Sequence, residues 1–205
     1  MIKRTNHIPR LINALQKLGH KEIKVGVFGE DNYQYPNDAD LVTIAYVQEY
    51  GATIRPKNAK WLTIPLIPAA KGKRAGEFTD LFYYKPDGEN HAFLARPKGQ
   101  GIENVFLLTK SVTIPERSFL RTGFDKNVDK ITDKIENLLN DVLDFGINPS
   151  VFLDAVGMEF AGLIQQHMRR VNSPPNSSIT SAVKGSSNPL HDTGKLIGAI
   201  RHEVE

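Results

Sequence analysis

Asp192 begins an Asp-Thr-Gly sequence, the residue pattern found at the active site of aspartic proteases. In those enzymes two carboxylates share one proton, and the pair activates water for hydrolysis. That chemistry needs an apolar strand before the aspartate and a β-rich body after it. Here His191 precedes Asp192, and only a short stretch of chain follows Gly194. The sequence context therefore disfavours hydrolysis by Asp192.

Glu49 and the Gly194-Lys195 pair are the next residues whose types suggest chemistry. A catalytic glutamate works with a second acid or a histidine, and Glu49 has neither close by in the sequence. Gly194-Lys195 resembles the end of a phosphate-binding loop, but Leu196 stands where a magnesium-binding serine or threonine is required. Gly185 also lies too far from Gly194 to be the first glycine of such a loop. We predict that the protein is not an enzyme.

Metal-ligating residues show no useful spacing. The chain has no cysteine, which excludes disulfides, thiolate nucleophiles and cysteine-ligated metals. Its six histidines are scattered and include no pair at helical i, i+4 spacing. His167 falls on the apolar side of a predicted helix and is interpreted as a buried or boundary histidine rather than a ligand. We expect neither a metal nor a cofactor.

Two clusters of basic residues fall in predicted loops. The whole chain carries 26 basic and 23 acidic residues, so its net charge of +3 does not by itself indicate nucleic-acid binding. Such loops often only keep a protein soluble, but Lys and Arg can also contact DNA phosphates or an acidic neighbouring subunit. The candidate DNA or subunit contacts are Arg55, Lys57 and Lys60, near Trp61, and Lys71, Lys73 and Arg74.

Length and composition predict one folded domain over residues 1–205, because 40% of the residues are hydrophobic and can form a sizeable core. The N-terminal sequence lacks the apolar run of a signal peptide. No uninterrupted apolar stretch of about 18 residues occurs. We expect a soluble protein without an export signal or a membrane contact.

The first part of the chain predicts helices and one strand. Apolar residues at helical spacing indicate a helix over residues 8–18, and alternation indicates a strand over 22–28. A polar loop over 29–37 follows. A helix over 39–50 is predicted next, with Asn37 or Asp38 as its cap and Gly51 as a left-handed stop.

The middle of the chain, up to Val112, predicts four short strands. The turn residues of Pro86–Asn90 favour a hairpin between the second and third strands. A Gly- and Lys-rich loop over 69–77 separates the first two strands. The predicted strands are Trp61–Pro65, Thr79–Tyr84, His91–Ala95 and Val105–Val112.

The last part of the chain predicts two long amphipathic helices. Apolar residues recur at spacings of three and four from Phe124 to Phe145 and again from Phe152 to Val171. This spacing indicates an αα-hairpin, with a seam either between the two helices or between subunits. A loop over 173–189 follows, then a short helix over 195–200 capped by Asp192 or Thr193, and an edge strand.

Together these elements predict an α+β protein with a small, mostly antiparallel sheet packed against helices and a long C-terminal αα-hairpin. The loops near 29–37, 69–77 and 173–189 are expected to be mobile and to order on assembly.

Three sequence elements resemble a known family, the tail-completion and virion-morphogenesis proteins of tailed bacteriophages. They are a Tyr-x-x-Glu-x-Gly element, an Ile-Pro-x-Arg-x-Phe-Leu junction and a Lys-Gly loop leading into Leu-x-Asp-Thr-Gly-x-Leu. Ser118 stands where the family's junction has a second proline. The residues that carry the resemblance are Tyr46, Glu49 and Gly51, then Ile114, Pro115, Arg117, Phe119 and Leu120, then Lys184, Gly185, Pro189, Leu190, Asp192, Thr193, Gly194 and Leu196.

The resemblance implies a structural virion protein of a tailed phage or prophage that completes the tail or neck for head-tail joining. It implies a homo-oligomeric ring, assembled in the host cytoplasm and located in the virion, with tail-tube, terminator or connector proteins as neighbours. Non-specific DNA contact would accompany this role. The alternative is a basic accessory protein that binds nucleic acid outside any particle, and a hydrolase using Asp192 or Glu49 is a third hypothesis.

Overall fold

The structure is a computed structural model that describes residues 12–13, 16, 18–29, 40–145 and 148–205. The helix predicted over 8–18 lies largely outside these residues, and the loop predicted over 29–37 lies almost wholly outside them. The remaining predicted elements fall within the described part of the chain.

Eight strands form three small antiparallel sheets in the described residues. One sheet has four strands in the order β3-β6-β5-β4, and the other two are the pairs β1-β8 and β2-β7. The hairpin predicted between the second and third strands of the middle region is the antiparallel β4-β5 pair. The strands are β1 Ile23–Gly26, β2 Ala52–Ile54, β3 Leu62–Pro65, β4 Phe82–Tyr84, β5 Ala92–Lys98, β6 Gly101–Thr109, β7 Val112–Ile114 and β8 Arg201–Val204.

Five α-helices accompany these sheets in the described part of the chain, so the protein is α+β as predicted. The two longest follow one another and form the predicted C-terminal αα-hairpin. The helices are α1 Leu41–Tyr50, α2 Arg121–Phe145, α3 Pro149–Arg170, α4 Ser178–Lys184 and α5 Lys195–Gly198.

The β5-β6 hairpin is longer than its sequence suggests. Arg96 and Glu103 face each other across it, with 2.7 Å between Arg96 Nη2 and Glu103 Oε2, and Lys98 also pairs with Glu103. Cross-strand ion pairs of this kind support strands whose residues are too polar to be recognised by hydrophobicity alone. The fourth predicted strand is divided between β6 and β7, and β2 was not predicted.

The seam predicted for the long helices lies between α2 and α3. Ile131 and Val142 of α2 pack with Phe152, Leu153 and Val156 of α3 in one buried cluster. The beginning of the predicted stripe differs, because the Phe124 side chain is 47% exposed and contacts Phe160 at the edge of the hairpin. Val128, the next apolar residue of the stripe, is exposed as well.

The β1-β8 pair packs on α3 through a close approach at Gly157. A Cβ atom at this position would collide with the imidazole ring of His202 in β8, so only glycine admits the strand here. His202 Nε2 lies 2.8 Å from Asp154 Oδ1 one turn earlier in α3. The C-terminal residues are thereby fixed on the hairpin, as the predicted edge strand requires.

Both described loops that were predicted to be mobile contain helical turns. Two turns of 3-10 helix, Pro68–Ala70 and Ala75–Glu77, occupy the first, and Ala70 is fully buried. The second contains α4, because Ser177 Oγ accepts a hydrogen bond from Thr180 N at 3.1 Å and caps the helix. The polar composition of both segments concealed these short helices.

Gly51 generates a stability prediction, because it ends α1 with φ of +72° and an added Cβ would lie 2.8 Å from Glu116 N. We expect Gly51→Ala to lower the free energy of unfolding by about 1–3 kcal/mol, because the side chain is strained and meets backbone. Urea denaturation measures this. Gly162→Ala is the matched control, since Gly162 lies in α3 with open space around it and should gain about 0.5–1 kcal/mol. Equal stability of the two variants would contradict the prediction.

Candidate functional site

An open cleft of about 1330 Å³ brings together most of the residues singled out in the sequence. Strands β3 and β7 and the loop after β2 form one wall, and residues from 175 to 196 form the other. The predicted residues that line it are Arg55, Lys57, Ile114, Pro115, Arg117, Lys184, Pro189, Leu190, Asp192, Thr193, Gly194 and Leu196.

Glu49, which is only 2% exposed, lies behind this cleft at the beginning of α2. Its Oε2 accepts hydrogen bonds from the amides of Phe119 at 2.7 Å and Leu120 at 2.8 Å. Its Oε1 accepts from Ser118 Oγ at 2.7 Å and from the Arg121 amide and Nε at 3.1 and 2.9 Å. One carboxylate from α1 therefore binds the first amides of a helix 70 residues further along the chain.

This arrangement satisfies a requirement of α2. The first amides of any helix lack partners within the helix, and the helix dipole favours negative charge there. Burial by itself would raise the pKa of Glu49. The hydrogen bonds from Leu120, Ser118 and Arg121 outweigh burial, so the pKa lies below its ordinary value of 4.5. With its oxygens already accepting five hydrogen bonds, the carboxylate is not available as a general base.

Arg121 joins the same cluster from the solvent side. Its Nη2 donates to the Glu49 carbonyl oxygen at 3.0 Å and to Glu116 Oε1 at 2.8 Å. Its guanidinium also lies over the Tyr50 ring, 4.6 Å from the centroid, and the Tyr46 ring contacts Tyr50 at a tilt of 45°, with 4.8 Å between the ring centroids. Tyr46 itself is exposed, so its part in the cluster is aromatic contact.

Arg117 connects three segments of the cleft floor. Its Nε donates to Pro174 O at 2.7 Å, its Nη2 to Pro175 O at 3.1 Å and its Nη1 to Gln48 Oε1 at 3.0 Å. The residue is 6% exposed, and burial lowers its pKa from the ordinary value. These partners are all neutral oxygen atoms, so carbonyl dipoles rather than an acid compensate the buried charge.

Lys184 and Asn188 shape the C-terminal wall. Lys184 Nζ donates to the carbonyl oxygens of Asn188 at 2.8 Å and Pro189 at 3.1 Å, and burial lowers its pKa. Asn188 Oδ1 accepts from the amides of Leu190 and His191, and its Nδ2 donates to Arg169 O at 2.9 Å. Asn188 was missed in the sequence, although an Asn before a proline is a recognisable turn signal.

Asp192 does not cap α5, which corrects the expectation from sequence. Its carboxylate instead forms an ion pair with Lys71, which lies in the loop after β3, with 2.6 Å between Asp192 Oδ1 and Lys71 Nζ. Gly194, at φ of +79°, begins the helix, and Thr193 Oγ1 lies 3.5 Å from the Lys195 amide. The lysine provides a stronger partner for the carboxylate than the exposed helix amides do.

Phe119 and Leu120, at the end of the junction, pack against helices. Phe119 is fully buried among helical residues, including Ala45 of α1 and Met168 of α3, and Leu120 packs partly against the same cluster.

The basic residues of the two predicted clusters differ in whether they contact other side chains or the backbone. Arg55 and Lys57 line the cleft and have no hydrogen-bond or ion-pair partner among the described residues. Lys60 lies over the Trp61 ring, 5.8 Å from the centroid. In the other cluster Lys73 lies over a phenylalanine ring, and the Arg74 amide donates to Glu77 Oε1 at 2.6 Å.

Over the described ranges, no group of three or more His, Asp or Glu side chains is arranged to hold a metal ion. Of the helices in this part of the chain, none combines the length and apolarity needed to cross a membrane. Comparison of the chain with protein-family models, with curated proteins and with solved structures found no match in any of the three.

The Glu49 cluster generates a prediction about pH and stability. We expect Glu49→Gln to lower the free energy of unfolding at pH 7 by about 2–3 kcal/mol, because amide donors lose their charged acceptor. A lowered pKa means that this stabilisation is present above pH 4.5 and is lost as the pH falls through the pKa of the folded state. The difference between wild type and variant should therefore shrink in acid. Urea denaturation from pH 7 to pH 3 measures it.

Glu116→Gln is the matched control, because Glu116 also binds Arg121 but its side chain is 54% exposed. Exposed pairs of this type contribute little, so this variant should remain close to wild type. A Glu49→Gln protein as stable as the control at pH 7 would contradict the capping role.

Proposed function

We propose that the protein is a structural virion protein of a tailed phage or prophage, which completes the tail or neck by ring assembly and has no catalytic role. One observation carries the proposal: the elements that resemble tail-completion proteins are joined by direct contacts. Glu49 of the first element binds the end of the junction, and Arg117 of the junction binds the Pro174-Pro175 segment before the third. Of the acids that suggested catalysis, Glu49 is engaged in these contacts and Asp192 pairs with Lys71.

Exposed apolar side chains on the αα-hairpin support contact with other proteins. Phe124 of α2 is 47% exposed, and Val151 and Met158 of α3 are 58% and 62% exposed. Apolar groups on a long rigid hairpin are suited to burial against a neighbour. In a ring, one patch of each subunit meets a different patch of the next, so the hairpin and the cleft provide two distinct surfaces.

The cleft supplies the second surface. It is open, it combines apolar walls with the unpartnered cations Arg55 and Lys57, and it is lined by the edges of short strands. A segment carrying acidic groups from the adjoining subunit, or from a tail-tube, terminator or connector protein, would complement it. Such a role needs binding groups and shape, and no reacting pair of side chains.

Deletion of this gene from its phage or prophage tests the proposal. We expect lysates of the deletion strain to contain DNA-filled heads beside unjoined or aberrant tails, because the junction between them is incomplete. Negative-stain electron microscopy and plaque titres measure this, with the gene restored in trans as control. Normal infectious particles from the deletion strain would overturn the proposal.

Nucleic-acid binding is a second candidate, and the surroundings of Trp61 favour it. Lys60 Nζ and Lys110 Nζ lie 5.8 and 5.7 Å from the centre of the Trp61 ring, on the rim that also carries Arg55 and Lys57. Aromatic rings between cations can stack on bases while the cations contact phosphates.

Fluorescence anisotropy with a labelled single-stranded oligonucleotide tests this candidate. If it holds, the free protein binds with an affinity that falls steeply with salt, and Trp61→Ala weakens binding by about tenfold or more, since stacking contributes about 1–3 kcal/mol per base. Tyr83→Ala is the control, because Tyr83 is an exposed aromatic on β4. Equal binding by both variants would contradict this candidate.

A further inference from the structure

A second pocket, of about 540 Å³, lies where the beginning of α2 meets the end of α3. Thr122 and Lys126 line it from α2, and His167 and Arg170 line it from α3. We propose that this pocket is a binding site for a phosphate group, held by Lys126, Arg170 and the protonated imidazole of His167. The site lies apart from the Trp61 rim, and it shares Arg117 with the first cleft.

The charge in this pocket is not compensated. Lys126 and Arg170 are exposed, and neither has a hydrogen-bond or ion-pair partner among the described residues. The one acid in the lining, Glu116, is paired with Arg121 at 2.8 Å. Arg117, which also lines the pocket, adds a positive charge whose hydrogen-bond partners are neutral. An anion entering the pocket therefore meets an excess of positive charge at short range.

The hydrogen bonds of His167 assign the role of each ring nitrogen. Thr122 donates its hydroxyl hydrogen to Ser118 O, so its oxygen accepts from His167 Nε2 at 3.0 Å. The Cγ–Cδ2 edge of the ring packs near Gly123, where an added Cβ would lie 3.2 Å from Cδ2. Nδ1 is on the other edge of the ring. Protonation at Nδ1 turns this atom from an acceptor into a donor for a bound oxyanion.

The groups around His167 explain why a phosphate would change its protonation. Burial lowers the pKa of His167, and the nearby Lys126 and Arg170 lower it further, while Glu49 raises it slightly. An anion bound between the two cations removes their repulsion and accepts from the imidazolium, so binding raises the pKa. By linkage, the protonated form binds the anion more tightly.

Phosphate suits these donors better than a carboxylate does, because three cationic groups from two helices line the pocket and a phosphate monoester or free ion offers more than two oxygen atoms to them. The phosphate can belong to a free ion or phosphomonoester, or to the backbone of a nucleic acid. Both sources present a tetrahedral phosphorus with anionic oxygen atoms, but a backbone diester has two free oxygens and one negative charge, whereas a free phosphate or monoester has more of each. Titrations with inorganic phosphate and with DNA distinguish the two sources.

NMR titration of His167 in the full chain tests the site. The ring signals are followed from pH 5 to pH 8 in sodium phosphate and in sodium chloride of the same ionic strength. We expect phosphate to raise the pKa of His167 by about one unit, which corresponds to about tenfold tighter binding by the protonated form. Equal titration curves in the two salts, with no response to DNA, would overturn the proposal.

Matched variants localise the effect. We expect Lys126→Ala and Arg170→Ala to abolish the phosphate-dependent shift, whereas Lys130→Ala and Arg169→Ala retain it, because these neighbours are outside the pocket lining. A shift that survives Lys126→Ala and Arg170→Ala overturns the proposal. The backbone spectrum of each variant verifies that it is folded.

A short duplex DNA at equal phosphate concentration distinguishes the sources. If inorganic phosphate shifts the His167 signals at the same or lower concentration than DNA, the site takes a free phosphate group. If DNA shifts them at concentrations where phosphate does not, the site takes a backbone phosphate. Trp61→Ala in the same experiment leaves the shift intact, which separates this site from nucleic-acid binding at the Trp61 rim.

Discussion

The start of α2 needs a negative charge, and Glu49 provides it. The amides of residues 119–121 have no partners within the helix, and the buried carboxylate from α1 accepts hydrogen bonds from all three. This contact fixes α1 against the hairpin. Gly51, which ends α1, has no side chain, so the backbone can pass close to the Glu116 amide. One acid therefore links α1 to the beginning of the hairpin across about 70 residues of sequence.

Arg117 extends the same constraint to the C-terminal wall of the cleft. Its guanidinium donates hydrogen bonds to the Gln48 side chain and to two carbonyl oxygens of the Pro174-Pro175 segment. It thereby holds this segment against α1 without an acidic partner. Two buried charges of opposite sign therefore satisfy backbone groups rather than each other. This use of charge is structural. At both pockets there are, in addition, cations that have no partner within the part of the chain that the structure describes.

The sequence predicted much of the fold because its strongest signals are periodic. The hairpin seam around Ile131 and Val156 and the turn before β5 depend on spacing within one element. Prediction failed where a partner from another element decided the outcome. Phe124 of α2 followed the stripe, but its side chain is exposed at the edge of the hairpin against Phe160 of α3. Asp192 had capping chemistry, but its carboxylate pairs with Lys71. Strand β2 and helix α4 were too short to be recognised.

What the sequence alone determined is the α+β class and the helical hairpin, since these follow from local spacing and residue type. Only the tertiary structure decided which groups the buried polar side chains contact. Glu49, Arg117 and Lys184 have polar partners that lie far apart in the chain or in irregular loops, and no periodicity encodes such pairs. The pocket around His167 exists only because the end of α3 returns to the start of α2, so its charge excess arises from folding rather than from composition.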